Sequence, residues 1–160
     1  MRVFRFGWIF IAVCGLCALS MSAIGKTNRL KPFFTDGCSN WIDGTLRQPH
    51  LWRHCCVAHD KAYWLGGTAE QRKIADDELR ACLKDETSKA MTDYMYYMVR
   101  WGGHPDWLTW YRWGYGWDYL DNGEPRGYKT PTPEEQQQID VLMPQAEKII
   151  ENDALSHPIN

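Results

Sequence analysis

The sequence predicts a mainly α-helical fold with little strand, built on two antiparallel helices tied by disulfides. Three observations carry this. Behind a leader with the features of an export signal the cysteines number four, Cys38, Cys55, Cys56 and Cys82, and an even count in that setting reads as two disulfides. Apolar residues recur at Ile74, Ala75, Leu79, Cys82 and Leu83, then at Met91, Tyr94, Met95, Met98 and Trp101, the i, i+3/i+4, i+7 stripe of a helix. Gly66-Gly67 separates that stripe from an earlier helical segment by so short a link that the two must pack antiparallel.

Residues 1–23 read as the export signal. Arg2 and Arg5 form its positive start, "FGWIFIAVCGLCAL" its apolar stretch, and "SMSA" supplies small residues for cleavage after Ala23. The apolar stretch falls short of the roughly 20 residues that span a bilayer, and an uncleaved N-terminal anchor is the rival reading. Cys14 and Cys17 lie inside it and lack the preceding small residue of a lipid-modified cysteine. The expected destination is secreted or periplasmic. Removing 23 of the 160 residues leaves 137, enough for one domain with a core. The leader takes two of the 18 basic residues and none of the 20 acidic ones, so 16 against 20 leaves a charge of about −4. No basic block or stripe appears, which excludes nucleic acid as the expected partner. Protein partners are left open.

The stretch 26–50 is rich in Gly, Asp, Asn and Pro and reads as loop, with turn-prone Asp-Gly steps at 36–37 and 43–44. A first helix is expected from about 49 to 65, stopped by Gly66-Gly67. Thr68 stands three residues before Gln71, a capping box that opens the second helix. The pattern then runs to about 101 as one helix, or as two broken near "KDETS", and ends at Gly102-Gly103 and Pro105. Residues 104–128 are aromatic and glycine-rich without a clean period. Thr132-Pro133-Glu134-Glu135 opens a tail helix, expected to stop or break near Pro144 and to fray over its last ten residues. The division expected is a helical domain over 24–130 and a C-terminal helix and tail over 131–160.

Neighbouring cysteines on a helix do not bond each other, which leaves two pairings among the four. Zinc is the competing reading, but adjacent cysteines point about 100° apart and lack the usual C-x-x-C spacing. On the first helix Cys55, His59 and Tyr63 form one i, i+4 row, and Cys56 and Asp60 the next. If the first row faces the second helix, antiparallel return at Gly66-Gly67 lets Cys55 be bridged to that helix while His59 and Tyr63 face residues near Asp76. Cys82 lies beyond Asp76 as Cys55 lies before His59, so the order is compatible. A histidine held by a carboxylate is a fixed-tautomer base. Asp60 then stays free for a hard cation, with oxygens from the turn-rich loop around Cys38 completing the shell. Base and cation together suggest hydrolysis.

At these residues the chain resembles the secreted phospholipase A2 family, whose active-site helix reads C-C-x-x-H-D-x-C-Y; here Cys55-Cys56-Val57-Ala58-His59-Asp60-Lys61-Ala62-Tyr63 matches all but the third cysteine. The family's second helix carries C-D and, after five intervening residues, another cysteine; here Ala75-Asp76 is followed by Cys82 at that spacing. Ala62 and Ala75 replace both halves of one family disulfide, so no orphan thiol remains. The resemblance covers roughly residues 36–83. It implies two helices that carry the active site behind a calcium-binding loop, with His59 as the base, Asp76 as its carboxylate and Tyr63 bonded to Asp76. It also implies the pairings Cys38–Cys56 and Cys55–Cys82. Calcium (Ca2+) would be held by Asp60 with the carbonyls of Cys38, Asn40 and Ile42, and Asp43 as a further carboxylate. The loop "TDGCSNWIDGT" departs from the family's Y-G-C-x-C-G-x-G-G by placing Ser39, Asn40, Trp41 and Ile42 near its glycine positions. The implied substrate is the sn-2 ester of a glycerophospholipid at a membrane or micelle surface. The alternative is an inactive lipid-binding or toxin module; joint retention of His59, Asp60, Tyr63 and Asp76 argues against it. Trp101, Trp107, Trp110, Trp113 and Trp117 would either form an interfacial surface or a cleft cover, or pack the irregular segment onto the helices. Arg112 and Arg126 carry no phosphate-binding signal beyond their charge.

Overall fold

The computed structural model describes residues 28–159, so the export-signal reading, with Arg2, Arg5, Cys14 and Cys17, falls outside the described residues. Within them lie four helices, α1 Arg53–Leu65, α2 Ala69–Glu86, α3 Lys89–Gly102 and α4 Pro133–Ser156. The only strands among the described residues are β1 Leu120–Asp121 and β2 Glu124–Pro125, an antiparallel pair with Leu120 opposite Pro125. The fold is therefore mainly helical with little strand. No helix among the described residues is long and apolar enough to cross a membrane.

α1 starts four residues later than expected. Residues 49–52 fold instead as a turn, in which the Arg53 amide donates to the His50 carbonyl at 3.2 Å and the Trp52 amide to the Asp43 carbonyl at 2.9 Å. The helix ends at Gly66, whose φ is +69°. A side chain there would meet the Cα of Gly114 at 2.8 Å, because the Gly114 amide comes in to donate to the Tyr63 carbonyl at 2.7 Å. Glycine is required by both the left-handed turn and the backbone approach.

Thr68 and Gln71 form the expected reciprocal capping box of α2. "KDETS" is a true break. Thr87 is extended, and Ser88 caps a new helix by accepting the Met91 amide at 3.3 Å. α1 and α2 pack antiparallel through Cys55–Cys82, and Cys38–Cys56 ties the preceding loop to α1. Around these bridges Trp52, Leu79, Leu83 and Met95 form one core. Of the α3 stripe only Met95 is buried; Tyr94, Met98 and Trp101 are exposed.

The long tail helix corrects the sequence reading twice. α4 runs unbroken through Pro144, which is solvent-exposed and sits between the buried Ile139 and Ala146. One missing N–H on the outer face does not outweigh packing on the inner face. Nor does its end fray: Asp153 is engaged by Arg53, and the His157 amide caps the Asp153 carbonyl at 3.0 Å. Ile139 and Ala146 of α4 share one core with Leu30, Phe33, Trp64 and Trp117.

Candidate active site

The two rows expected on α1 each find their neighbour. His59 and Tyr63 face α2, where Asp76 is fully buried. Asp76 Oδ1 lies 2.8 Å from His59 Nε2 and accepts the Tyr63 hydroxyl at 2.8 Å. The second row, Cys56 and Asp60, faces the loop: Cys56 bonds Cys38, and Asp60 accepts the Thr35 hydroxyl at 2.6 Å. With Nε2 held by Asp76, the Nδ1 of His59 is left for the cavity that the ring lines.

Two arginines that the sequence reading passed over complete the carboxylate. Arg100, from the last turn of α3, donates to Asp76 Oδ2 at 2.6 Å. Arg72 lies 3.9 Å from the same oxygen and donates to the Tyr63 hydroxyl at 3.1 Å and to the carbonyls of Val99 and Arg100 at 3.0 and 2.6 Å. It thus binds the C-terminus of α3, where a cation opposes the helix dipole. Burial alone would push the Asp76 carboxyl up, but the hydrogen bonds from His59, Arg100 and Tyr63 outweigh it and hold Asp76 below the usual carboxylate range. Burial and the nearby Asp76 charge push the Tyr63 phenol up, so it stays a donor. Arg100 follows the α3 stripe by spacing alone, and a charged residue there carried no signal until the helix was placed.

Asp60 has the opposite environment. Burial raises its carboxyl well above the ordinary value; the Thr35 hydroxyl pulls it back, and the neighbouring Asp36 charge adds to the rise. Thr35 is its one hydrogen-bond partner among the described residues. A half-buried carboxylate in an acidic neighbourhood fits a hard cation.

The rest of the expected cation shell divides. Asn40 has φ +58°, the left-handed conformation that asparagine tolerates, so the loop turns there without glycine. Among the described residues no hydrogen bond reaches its carbonyl. The Cys38 carbonyl accepts the Trp41 amide at 2.8 Å and keeps a second lone pair. The Ile42 carbonyl accepts the Trp52 indole at 2.8 Å. Asp43 is not available as expected: one oxygen accepts the Cys38 amide at 2.7 Å and the other the Arg53 guanidinium at 2.5 Å. Its carboxylate builds the loop rather than facing Asp60. Cys38 and Asn40 line the cavity beside Asp60 and Ile42 does not, so the donor set that remains is Asp60 with the Cys38 and Asn40 carbonyls.

His59 and Asp60 open into a cavity of about 290 Å³ whose walls include Trp41, Leu79, Met95, Met98, Trp101 and Tyr111. The tryptophans of the irregular segment split between the two expected roles. Trp113 and Trp117 are core, whereas Trp101 is 70% exposed at the cavity, exposed Trp107 packs beside it, and exposed Trp110 lines a separate cavity with Phe34. Trp113 packs with Tyr63, Ala62 and Ala75, filling the space between the two alanines with an indole that donates to the Gly67 carbonyl at 2.9 Å. Arg112 is enclosed by the carbonyls of Trp113, Gly114 and Trp117, and Arg126 pairs with Glu135, so both serve structure.

Zinc is set aside at the cysteines. His54 Nε2 lies 3.5 Å from both Cys55 and Cys82 sulfurs, but those sulfurs are joined to each other and offer no thiolate. No protein-family model, curated protein or solved structure matches this chain.

Proposed function

We propose that the protein is a calcium-dependent, phospholipase A2-like hydrolase of the sn-2 ester of glycerophospholipids. The observation that carries this reading is the buried His59–Asp76 pair at the base of an apolar cavity, with the Asp60 carboxylate beside it. A base alone would suit many hydrolases. An apolar cavity opening among exposed Trp41, Tyr94, Met98 and Trp101 suits a substrate with acyl chains presented at a lipid surface.

Water enters beside His59 Nδ1. As its oxygen attacks the ester carbonyl carbon, its proton passes to Nδ1, and the imidazolium forms against the Asp76 carboxylate. Collapse of the tetrahedral species breaks the bond to the glycerol oxygen, and Nδ1 returns the proton to that leaving oxygen. Tyr63 and Arg100 keep Asp76 ionised and fixed, which holds the ring in the tautomer that leaves Nδ1 basic. Calcium bound by Asp60 and the Cys38 and Asn40 carbonyls would supply polarisation of the ester carbonyl and charge for its oxyanion.

The test is release of fatty acid from mixed phospholipid vesicles by the mature protein, with calcium or with chelator. Release is expected only with calcium. His59→Gln should lower it by about 10³-fold with the melting temperature nearly unchanged. A folded, lipid-binding protein that releases nothing in calcium sinks the enzyme reading in favour of the inactive module. Unfolding of His59→Gln would make the histidine a structural residue.

A further inference from the structure

We infer that Asp153, near the far end of α4, is a positioning residue for the Cys38 loop and so for the cation that the loop and Asp60 would hold. The cation half rests on the calcium reading above.

The connection is a buried guanidinium. Arg53 turns one edge to α4, with Nε and NH2 donating to Asp153 at 2.9 and 2.7 Å. The remaining nitrogen, NH1, donates to the Asp36 carbonyl at 3.0 Å and to Asp43 at 2.5 Å. The side chains are 10% exposed for Arg53, 12% for Asp153 and 18% for Asp43, so these bonds form with little water. Asp43 passes the constraint on through its other oxygen to the Cys38 amide. Gly37 shows how tightly the loop is seated. Its φ is +82°, and a side chain there would lie 2.2 Å from Arg53 NH1 and 2.4 Å from Asp43. α4 thereby grips both ends of the turn that presents the Cys38 and Asn40 carbonyls.

Charge acts in the same direction. The field of Arg53 reaches Asp60, and an unneutralised guanidinium there would compete with a bound cation. With Asp43 and Asp153 both bonded to it, the three-residue cluster is net −1 and does not repel the cation. Replacing Asp153 by a neutral residue loosens the guanidinium and raises the local charge by one, and both effects weaken cation binding.

The experiment uses the mature protein with Asp153→Asn, Asp153→Glu and Arg53→Lys. Calcium itself is titrated calorimetrically, and amide hydrogen exchange is followed without calcium. Asp153→Asn should accelerate exchange at residues 37–43 about tenfold and raise the calcium Kd about tenfold, with α1 and α2 as protected as before. Asp153→Glu should recover most of both. Arg53→Lys, which keeps the charge but cannot bridge two carboxylates and a carbonyl, should show the faster loop exchange. Unchanged exchange at 37–43 in Asp153→Asn overturns the inference. Acceleration spread over α1 and α2, or failure of both neutralising and lysine variants to fold, overturns it too by making the cluster a folding contact. A wild-type protein that binds no calcium sinks the calcium reading and the cation half, while the exchange measurement still decides the loop half.

Discussion

Asp60, which lines the cavity, and Asp76, buried behind His59, are pushed in opposite directions. Asp76 is saturated with donors and stays ionised, whereas Asp60 is buried with one hydroxyl and acidic neighbours. A raised carboxyl means that the folded state keeps a proton the unfolded chain releases. Its contribution to stability therefore falls as pH rises from the ordinary aspartate value of about 4 through the higher folded value. Asp60→Asn keeps an acceptor for Thr35 and removes this penalty. In chelator at pH 7 it should stabilise the protein by about 1 kcal/mol, measured by denaturant unfolding. On the proposed calcium reading the order should reverse in calcium, because only the wild type would gain from ligand binding. A variant less stable than wild type in chelator would show that Asp60 is already compensated within the chain.

At the scale of elements, α4 starts from a buried charge cluster. Glu135 closes a capping box with Thr132 and also receives Arg126 at 2.7 and 3.1 Å, with Lys129 at 3.1 Å. Burial would raise its carboxyl, but the bonds from Arg126, the Thr132 amide and Lys129 together outweigh that and bring it down to about 2. A lowered carboxyl contributes stability above its unfolded value near 4, lost as pH falls toward 2. Glu135→Gln leaves the buried Arg126 with Asp121, at 3.7 Å, in place of its two-pronged carboxylate bond and should cost about 3 kcal/mol. It should also flatten the loss of stability between pH 4 and 2, which acid titration of the melting temperature reads. An unaltered acid limb would assign that limb to other carboxylates. The contrast with Pro144 shows how elements are decided here. A helix tolerates one missing hydrogen bond on its wet face, but loss of the carboxylate that holds a buried guanidinium beneath it is costly.

Across the whole molecule, α4 sits on the same core as the N-terminal segment and the end of α1, through Ile139, Ala146, Leu30, Phe33 and Trp64. Division at residue 130 would cut through that core. Calorimetry of residues 24–160 should show one cooperative transition, and truncation after residue 130 should give a chain that aggregates or lacks it. Two separate transitions would restore the division into a domain and a tail. The disulfides lie at the other side of the fold, around Trp52, Leu79 and Leu83. The candidate site is held between the two cores, with α1 common to both.

The sequence by itself determined what depends on local periodicity. The i, i+4 spacing of Cys55, His59 and Tyr63, the Gly66-Gly67 turn and the position of Asp76 and Cys82 place the base and its carboxylate together wherever two such helices return on each other. The caps at Thr68 and Thr132 were readable for the same reason, since each rests on a residue three positions away. Tertiary structure decided the rest, because those contacts join residues that no short spacing relates. Arg100 reaches Asp76 from a third helix, and Arg53 meets Asp153 across 100 positions of chain. Asp43 was readable as a free carboxylate only while its partner was unknown. Whether a tryptophan is core, as Trp113 is, or stands at the cavity mouth, as Trp101 does, depends on which surface the irregular segment is laid against, and a stretch without a period does not encode that locally.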